Sequence, residues 1–137
     1  MEHYTALSPY LKRRFGCKVY KLSLSAGCTC PNRDGTLGAR GCIFCSGSGE
    51  FAASGSASIP EQLEQAKYIL GKKAQGAKFI AYFQDFTNTY GAVSRLEPLF
   101  LAAMEPDDVV ALSIATRPDC LPEDILRMLA RLRAKKP

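Results

Sequence analysis

A mixed α/β chain, with a parallel sheet covered by helices, is the fold class this sequence predicts. Strand-like and helix-like segments alternate three times, and the strand segments are short, nearly continuous apolar runs. Strands buried on both faces read this way, and parallel strands need helical crossovers between them. A length of 137 residues, 47% hydrophobic and 23% charged, suits one ordinary domain able to bury a real core.

Residues 1–16 read as a helical or irregular leader, in which Tyr4, Leu7, Tyr10, Leu11 and Phe15 offer partial helical periodicity. Val19, Lys21 and Ser23 then alternate with Tyr20, Leu22 and Leu24, which predicts a first strand ending at Ala26-Gly27. From there to Ser58 the chain reads as loop, through Pro31-Asn32, Asp34-Gly35, Gly38, Gly41 and a Gly/Ser-rich stretch over 46–58. A loop this long within a compact domain is functional or disordered, and the cysteines it carries favour function.

Ser58-Ile59-Pro60-Glu61 has the composition of a capped helix start, with Glu61 three residues after Ser58. Leu63, Ala66, Ile69, Leu70 and Ala74 continue its apolar face, with Gly76 as the stop. Residues 78–84 (KFIAYFQ) predict a second strand. Val93, Leu96, Leu99, Phe100 and Ala103 mark a second helix closed by Pro106. Residues 109–114 predict a third strand, and Pro122 opens a third helix with Ile125, Met128, Leu129 and Leu132 on one face. Three such units amount to half a barrel, since a full (β/α)8 barrel takes roughly 200 residues or more. Lys136-Pro137 falls where a fourth strand is due, so the chain reads as the N-terminal half of a longer protein whose third strand is a free edge.

The longest apolar run, near residues 108–115, falls far short of a membrane span, and no hydrophobic signal segment opens the chain. No membrane association and a cytoplasmic location are the default expectations. The formal net charge of +5 draws on Lys12, Arg13, Arg14, Lys18 and Lys21, and on Arg127, Arg131, Arg133, Lys135 and Lys136. It permits an anionic partner, RNA included, although a solvated basic surface explains it as well.

Six cysteines carry more information. Without a secretory context, close spacings are read first as metal ligation by reduced thiols. Cys30, Cys42 and Cys45 follow the first strand as C-x11-C-x2-C. Three thiolates from one loop can hold three corners of a cubane cluster and leave the fourth iron open to a substrate or cofactor. Structural zinc wants four ligands, typically in closely spaced pairs. The one histidine, His3, lies in the leader, and Cys28 would give a cramped C-x-C bite. Spacing, ligand count and the βα setting favour a cluster over zinc. Cys28 then reads as a small packing residue, and Cys17 and Cys120 as structural.

Lys21-Leu22-Ser23-Leu24 through Cys30-Pro31-Asn32-Arg33-Asp34-Gly35-Thr36, followed by Gly41-Cys42-Ile43-Phe44-Cys45, resembles the radical SAM (S-adenosylmethionine) superfamily. More narrowly it resembles the YhcC-like branch, related to the Elongator catalytic subunit and MiaB groups. Two further stretches agree: Ala81-Tyr82-Phe83-Gln84 with Thr87-Asn88-Thr89-Tyr90, and Ser113-Ile114-Ala115-Thr116-Arg117-Pro118-Asp119. The first gap of eleven residues departs from the superfamily's commoner C-x3-C-x2-C, a departure this branch shares.

The resemblance implies a partial TIM-type (β/α)6 barrel, of which residues 17–137 would supply about three βα units. It implies a 4Fe–4S cluster on Cys30, Cys42 and Cys45, with SAM bound through its amino and carboxylate groups to the open iron. The chemistry implied is reductive cleavage of SAM to a 5′-deoxyadenosyl radical that takes hydrogen from a substrate, with flavodoxin or ferredoxin as reductant. Kinship with RNA-modifying branches brings tRNA into view as a substrate class.

Phe44 matches the family position whose backbone contacts the adenine, and Gln84 ends the second strand where the family places its contact to the SAM amino group. After the third strand, Arg117 is a candidate for the SAM carboxylate or another anion, and Asp119 for a ribose hydroxyl or a helix or turn cap ahead of Pro122. Asn88 and Tyr90 are candidates for a pocket wall or a turn, and Asp34-Gly35 reads as turn chemistry. The reading from a different class is a zinc-stabilised RNA-binding module, with the metal on Cys28, Cys30, Cys42 and Cys45. An inactive fragment is the third.

Overall fold

Three six-residue strands pair in parallel in the computed structural model, which describes residues 3–43 and 57–137. Helix α1 (Leu7–Phe15) leads into strand β1 (Val19–Leu24). Helix α2 (Ile59–Leu70) and a 3-10 turn (Gly71–Ala74) precede β2 (Lys78–Phe83). Helix α3 (Val93–Met104), β3 (Val109–Ile114), a second 3-10 turn (Pro118–Cys120) and α4 (Glu123–Arg133) complete the order. The strands lie β1-β2-β3 across the sheet, so α2 and α3 are the crossovers of its two parallel pairs. The expected α/β class is therefore what the described residues form.

The core follows from strand alternation. Leu22 and Leu24 of β1, Phe79, Ala81 and Phe83 of β2, and Val109 of β3 join Leu63, Leu96, Phe100, Ile125, Met128 and Leu132 from the helices. Phe83 and Phe100 meet edge to face with centroids 5.0 Å apart. Phe79 pairs with Val109 but Ile80 with Ala111, a one-residue slip in register. The slip sets Leu112 and Ile114 opposite Ala81 and Phe83, so β3 keeps its larger residues toward the core cluster. On the opposite sheet face Lys21 is exposed, with its ammonium 5.0 Å from the Tyr82 ring centroid.

Several element ends match their sequence signals. Ser58 caps α2 through a capping box, accepting from the Glu61 amide at 3.4 Å while Glu61 accepts from the Ser58 amide at 2.8 Å. Gly16 ends α1 in the left-handed conformation, φ 78°, its amide donating to the Lys12 carbonyl. Strand β3 occupies the expected residues, and α4 starts after Pro122. Two expectations shift. Helix α2 stops at Leu70 and tightens into the 3-10 turn before Gly76. Ile69 is 76% exposed, because Ile59, Gln62, Leu63 and Ala66 already define the inward face of that helix.

Gln62 is the polar member of that face, 1% exposed. Its Oε1 accepts from the Ser25 amide at 2.7 Å, and its Nε2 donates to the carbonyls of Ser25 and Ala57. It thus pins the chain just past β1, where the cysteine loop departs. On the far edge of β3 the Leu112 amide donates to the Pro137 carbonyl at 2.8 Å, and Lys136 Nζ donates to the carbonyls of Met104, Pro106 and Val109. No helix among the described residues is long and apolar enough to cross a membrane.

Candidate functional site

A cavity of about 770 Å³ opens where the strands end. Its wall comes from the segment after β1 (Cys30, Asn32, Arg33, Gly41, Cys42), the segment after β2 (Gln84, Asp85, Phe86, Thr87) and the segment after β3 (Ala115, Thr116, Arg117, Pro118, Asp119). Parallel α/β sheets place ligands here because all carboxyl ends of the strands face one way.

The cysteine loop folds back on itself. The Cys30 carbonyl accepts from the amides of Arg33 and Asp34, the Pro31 carbonyl accepts from Leu37, and the Asn32 carbonyl from Gly41. The Asp34-Gly35 turn forms as expected: Asp34 Oδ1 accepts the Thr36 amide at 2.9 Å, and Asp34 Oδ2 accepts the Tyr90 hydroxyl at 2.8 Å. Hydrogen bonds from Thr36 and Tyr90 hold the Asp34 carboxyl below its ordinary value. This folding returns Cys42 to the cavity that Cys30 lines. Asn32 Nδ2 sits 3.5 Å from Cys42 Sγ as a donor.

Cys30 is buried, and its sulfur accepts from Thr87 Oγ1 at 3.2 Å and from Arg117 Nη1 at 3.9 Å. Burial alone pushes this thiol up. Hydrogen bonds from Thr87, the Asn32 main chain and Arg117 outweigh burial and leave the thiol below its ordinary value. Cys28 is different. It packs in the core cluster, its sulfur accepts from Arg95 Nη2 at 2.9 Å, and burial raises its pKa despite that guanidinium. Arg95 also donates to the Ala26 carbonyl, and Cys28 is not part of the cavity wall. Cys120 is buried in the second 3-10 turn, its thiol pushed up by burial and then by the Asp119 charge. Phe44 and Cys45 lie outside the described residues.

Arg117 and Asp119, expected to meet a ligand, meet each other. Nε and Nη2 of Arg117 fork onto the two Asp119 oxygens at 2.9 and 2.7 Å. The pairing raises the Arg117 pKa and lowers that of Asp119. Asp119 sits within the 3-10 turn, and α4 has no side-chain cap, so Asp119 does not cap that helix. Gln84 is exposed on the cavity wall, one residue past β2.

Asn88 and Tyr90 do not line the cavity. Asn88 is 1% exposed, and its Nδ2 donates to the carbonyls of Phe83 and Ala115 at 3.0 and 3.1 Å, stapling the ends of β2 and β3. Its Oδ1 is buried without a partner among the described residues. Tyr90 ties the β2–α3 segment to the cysteine loop through Asp34.

Sequence reasoning assigned no role to Thr87, Asn32, Arg33, Asp85 or Phe86. The available signal was their place just past a strand end, beside assigned residues. Phe86 is a bulky side chain at φ 60°, a strained conformation of the kind that collects at functional sites. The Arg33 guanidinium sits 5.5 Å from the Phe86 ring centroid, and Gly41 leaves room for it. A Cβ on Gly41 would lie 2.7 Å from Arg33 Cζ. Asp85 is half-buried, burial pushes its carboxyl up, and no hydrogen bond or ion pair reaches it among the described residues.

Two soft sulfur donors at one cavity fit an iron–sulfur cluster, with hydrogen-bond donors behind each sulfur. Among the described residues, no group of three or more His, Cys, Asp or Glu side chains is arranged to hold a metal ion. The proposed third ligand, Cys45, is outside that set.

Comparison with known proteins places the chain among longer relatives. It is 45% identical over 136 residues to the uncharacterized protein YtqA of Bacillus subtilis, covering 98% of this chain and 42% of that protein. It is 39% identical over 125 residues to protein YhcC of Escherichia coli K12, covering 90% of this chain and 39% of the relative. It is 35% identical over 124 residues to the uncharacterized protein MJ0486 of Methanocaldococcus jannaschii, covering 88% and 37%. The chain thus spans about two fifths of the length of these curated relatives. No family model matches it, and no solved structure matches it.

Proposed function

We propose that this chain is the cofactor-binding part of a radical SAM enzyme, with Cys30, Cys42 and Cys45 ligating a 4Fe–4S cluster. The observation that carries this reading is the convergence of Cys30 and Cys42 on one cavity at the carboxyl ends of a parallel sheet. The finer fold proposed is the first half of a (β/α)6 barrel. Support comes from the regular β1-β2-β3 order of parallel strands with helical crossovers.

Cys30, Cys42 and Cys45 would hold the cluster, and the chemistry it would supply is one-electron reductive cleavage of SAM to methionine and a hydrogen-abstracting 5′-deoxyadenosyl radical. The chain's own groups prepare the site. Thr87 and Arg117 donate to the Cys30 sulfur, and Asn32 donates to Cys42. Arg117 has its Nε and Nη2 edge committed to Asp119, so an incoming carboxylate would meet Nη1. Gln84 and Asp85 offer an amide and a carboxylate on the adjoining wall, suited to an amino group. Phe86, packed against Arg33, makes part of the wall apolar and helps exclude water. The proposal includes a cytoplasmic setting, a one-electron donor of flavodoxin or ferredoxin type, and a substrate for which tRNA is a candidate class.

The zinc alternative needs Cys28 beside Cys30 and Cys42, and the Cys28 thiol instead packs in the core against Arg95. Anaerobic reconstitution with iron and sulfide, followed by electron paramagnetic resonance of the reduced protein, tests the choice. A 4Fe–4S signal that changes on adding SAM is expected. Stoichiometric zinc binding with no cluster formed would overturn the proposal.

A further inference from the structure

All three strand-end segments send a group to one atom, the sulfur of Cys30. Cys30 itself follows β1, Thr87 follows β2 and Arg117 follows β3. Thr87 is 1% exposed, and its main-chain amide already anchors it to the Thr29 carbonyl at 3.2 Å. Its hydroxyl points at the sulfur and donates to it at 3.2 Å.

Thr89, two residues on and equally buried, provides the contrast. Its hydroxyl contacts that of Thr116 and bonds to the Cys120 carbonyl, both at 2.5 Å, as a packing threonine does. Arg117 adds a second donor, oriented by the fork that Asp119 places on its other edge. Among the described residues Cys42 receives one donor, Asn32, from its own loop. Counting donors from the described residues alone, Cys30 has two and Cys42 one.

We propose that Thr87 and Arg117 are positioning residues for Cys30, holding its sulfur with hydrogen bonds that raise the reduction potential of the cluster it ligates. That role rests on Cys30 being a cluster ligand, as proposed above. The physical cause is general: donors to a ligating sulfur draw electron density from it and favour the reduced cluster, whose extra negative charge they stabilise. One electron enters from dithionite and none of the protein's bonds is broken.

The test is a mediator-poised titration of the reconstituted protein, read by electron paramagnetic resonance, for wild type, Thr87→Val, Thr87→Ser and Arg117→Gln. Valine keeps the shape of threonine and removes the donor, while serine keeps the donor. At the wild-type midpoint, Thr87→Val should show a reduced-to-oxidised ratio about tenfold lower, a shift of about 59 mV to more negative potential for a one-electron couple. Thr87→Ser should stay with wild type, and Arg117→Gln should move the same way as Thr87→Val. A folded Thr87→Val that takes up no iron while Thr87→Ser does would also support the role, through ligation itself. If Thr87→Val does not fold, Arg117→Gln decides, since that side chain lies outside the core cluster. Loaded variants with the wild-type midpoint would overturn the inference and leave the ligand assignment standing. A wild type that loads no cluster would overturn both.

Discussion

Replacing Asn88 tests whether the ends of β2 and β3 are held by a side chain as well as by the sheet. Its Nδ2 donates to two buried carbonyls, and each of these keeps one main-chain partner: Ala115 N on the Phe83 carbonyl, and Asn88 N on the Ala115 carbonyl. Asn88→Ala therefore removes two net hydrogen bonds without orphaning either acceptor, about 2 kcal/mol in all. Loss of the partnerless Oδ1 gives some of this back, and the small cavity left behind takes it away again.

Asn88→Asp should be worse at neutral pH, because a carboxylate oxygen would then face two carbonyl oxygens with no water to screen it. The total cost should exceed that of alanine by several kcal/mol. Such a carboxyl would have a folded-state pKa above its unfolded value. Its penalty is then present above the unfolded pKa and shrinks as pH falls, when the protonated acid can donate again. Urea unfolding at pH 7 and pH 5 measures both variants against wild type at each pH. Equal stability of Asn88→Asp and Asn88→Ala at pH 7, or no recovery of the aspartate variant at pH 5, would refute the reasoning.

Alanine in place of Cys30, Cys42 or Cys45 should abolish iron uptake on reconstitution, whereas Cys28→Ala should load normally; iron loss in Cys28→Ala would sink the ligand assignment. Ser58→Ala should cost about 1 kcal/mol in denaturant unfolding, as for other helix caps. The partner Glu61 carboxyl is held low by the Ser58 amide and hydroxyl, so its contribution is present above the ordinary carboxylate range. That contribution is lost as pH falls through the depressed folded value, and a melting series from pH 6 to pH 3 should show the wild-type advantage over Ser58→Ala narrowing. Gly41→Ala, at φ 70° and against Arg33, should destabilise by roughly 1–2 kcal/mol and lift Arg33 from Phe86. An unchanged melting temperature would refute that.

The three βα units were legible in sequence because each element carries its own local signal. Strand β3 is an apolar run between Asp108 and the Ala115-Thr116 segment, and α4 shows Ile125, Met128 and Leu132 at helical spacing. The capping box at Ser58 and the turn at Asp34-Gly35 are likewise local, set by side chains reaching main chain two or three residues away. Ile69 was misplaced because periodicity over five small and apolar residues leaves the exact face of a helix ambiguous by one position. Gln62 was invisible because its partners, Ser25 and Ala57, come together only in three dimensions.

By itself the sequence determined which residues could do chemistry: a C-x11-C-x2-C loop after a strand, and an Arg-Pro-Asp segment after another. Only the tertiary structure decided what those residues do to one another. It separated Cys28 from Cys30, two residues apart, into a core contact with Arg95 and a cavity wall. It turned Arg117 and Asp119 into a fork, made Asn88 a staple, and brought Thr87 to a sulfur 57 residues away in the chain. Composition and spacing specify donors and acceptors, but a hydrogen bond needs two groups within about 3 Å in the right direction. Between distant loops, only the packed sheet and its helices set that distance.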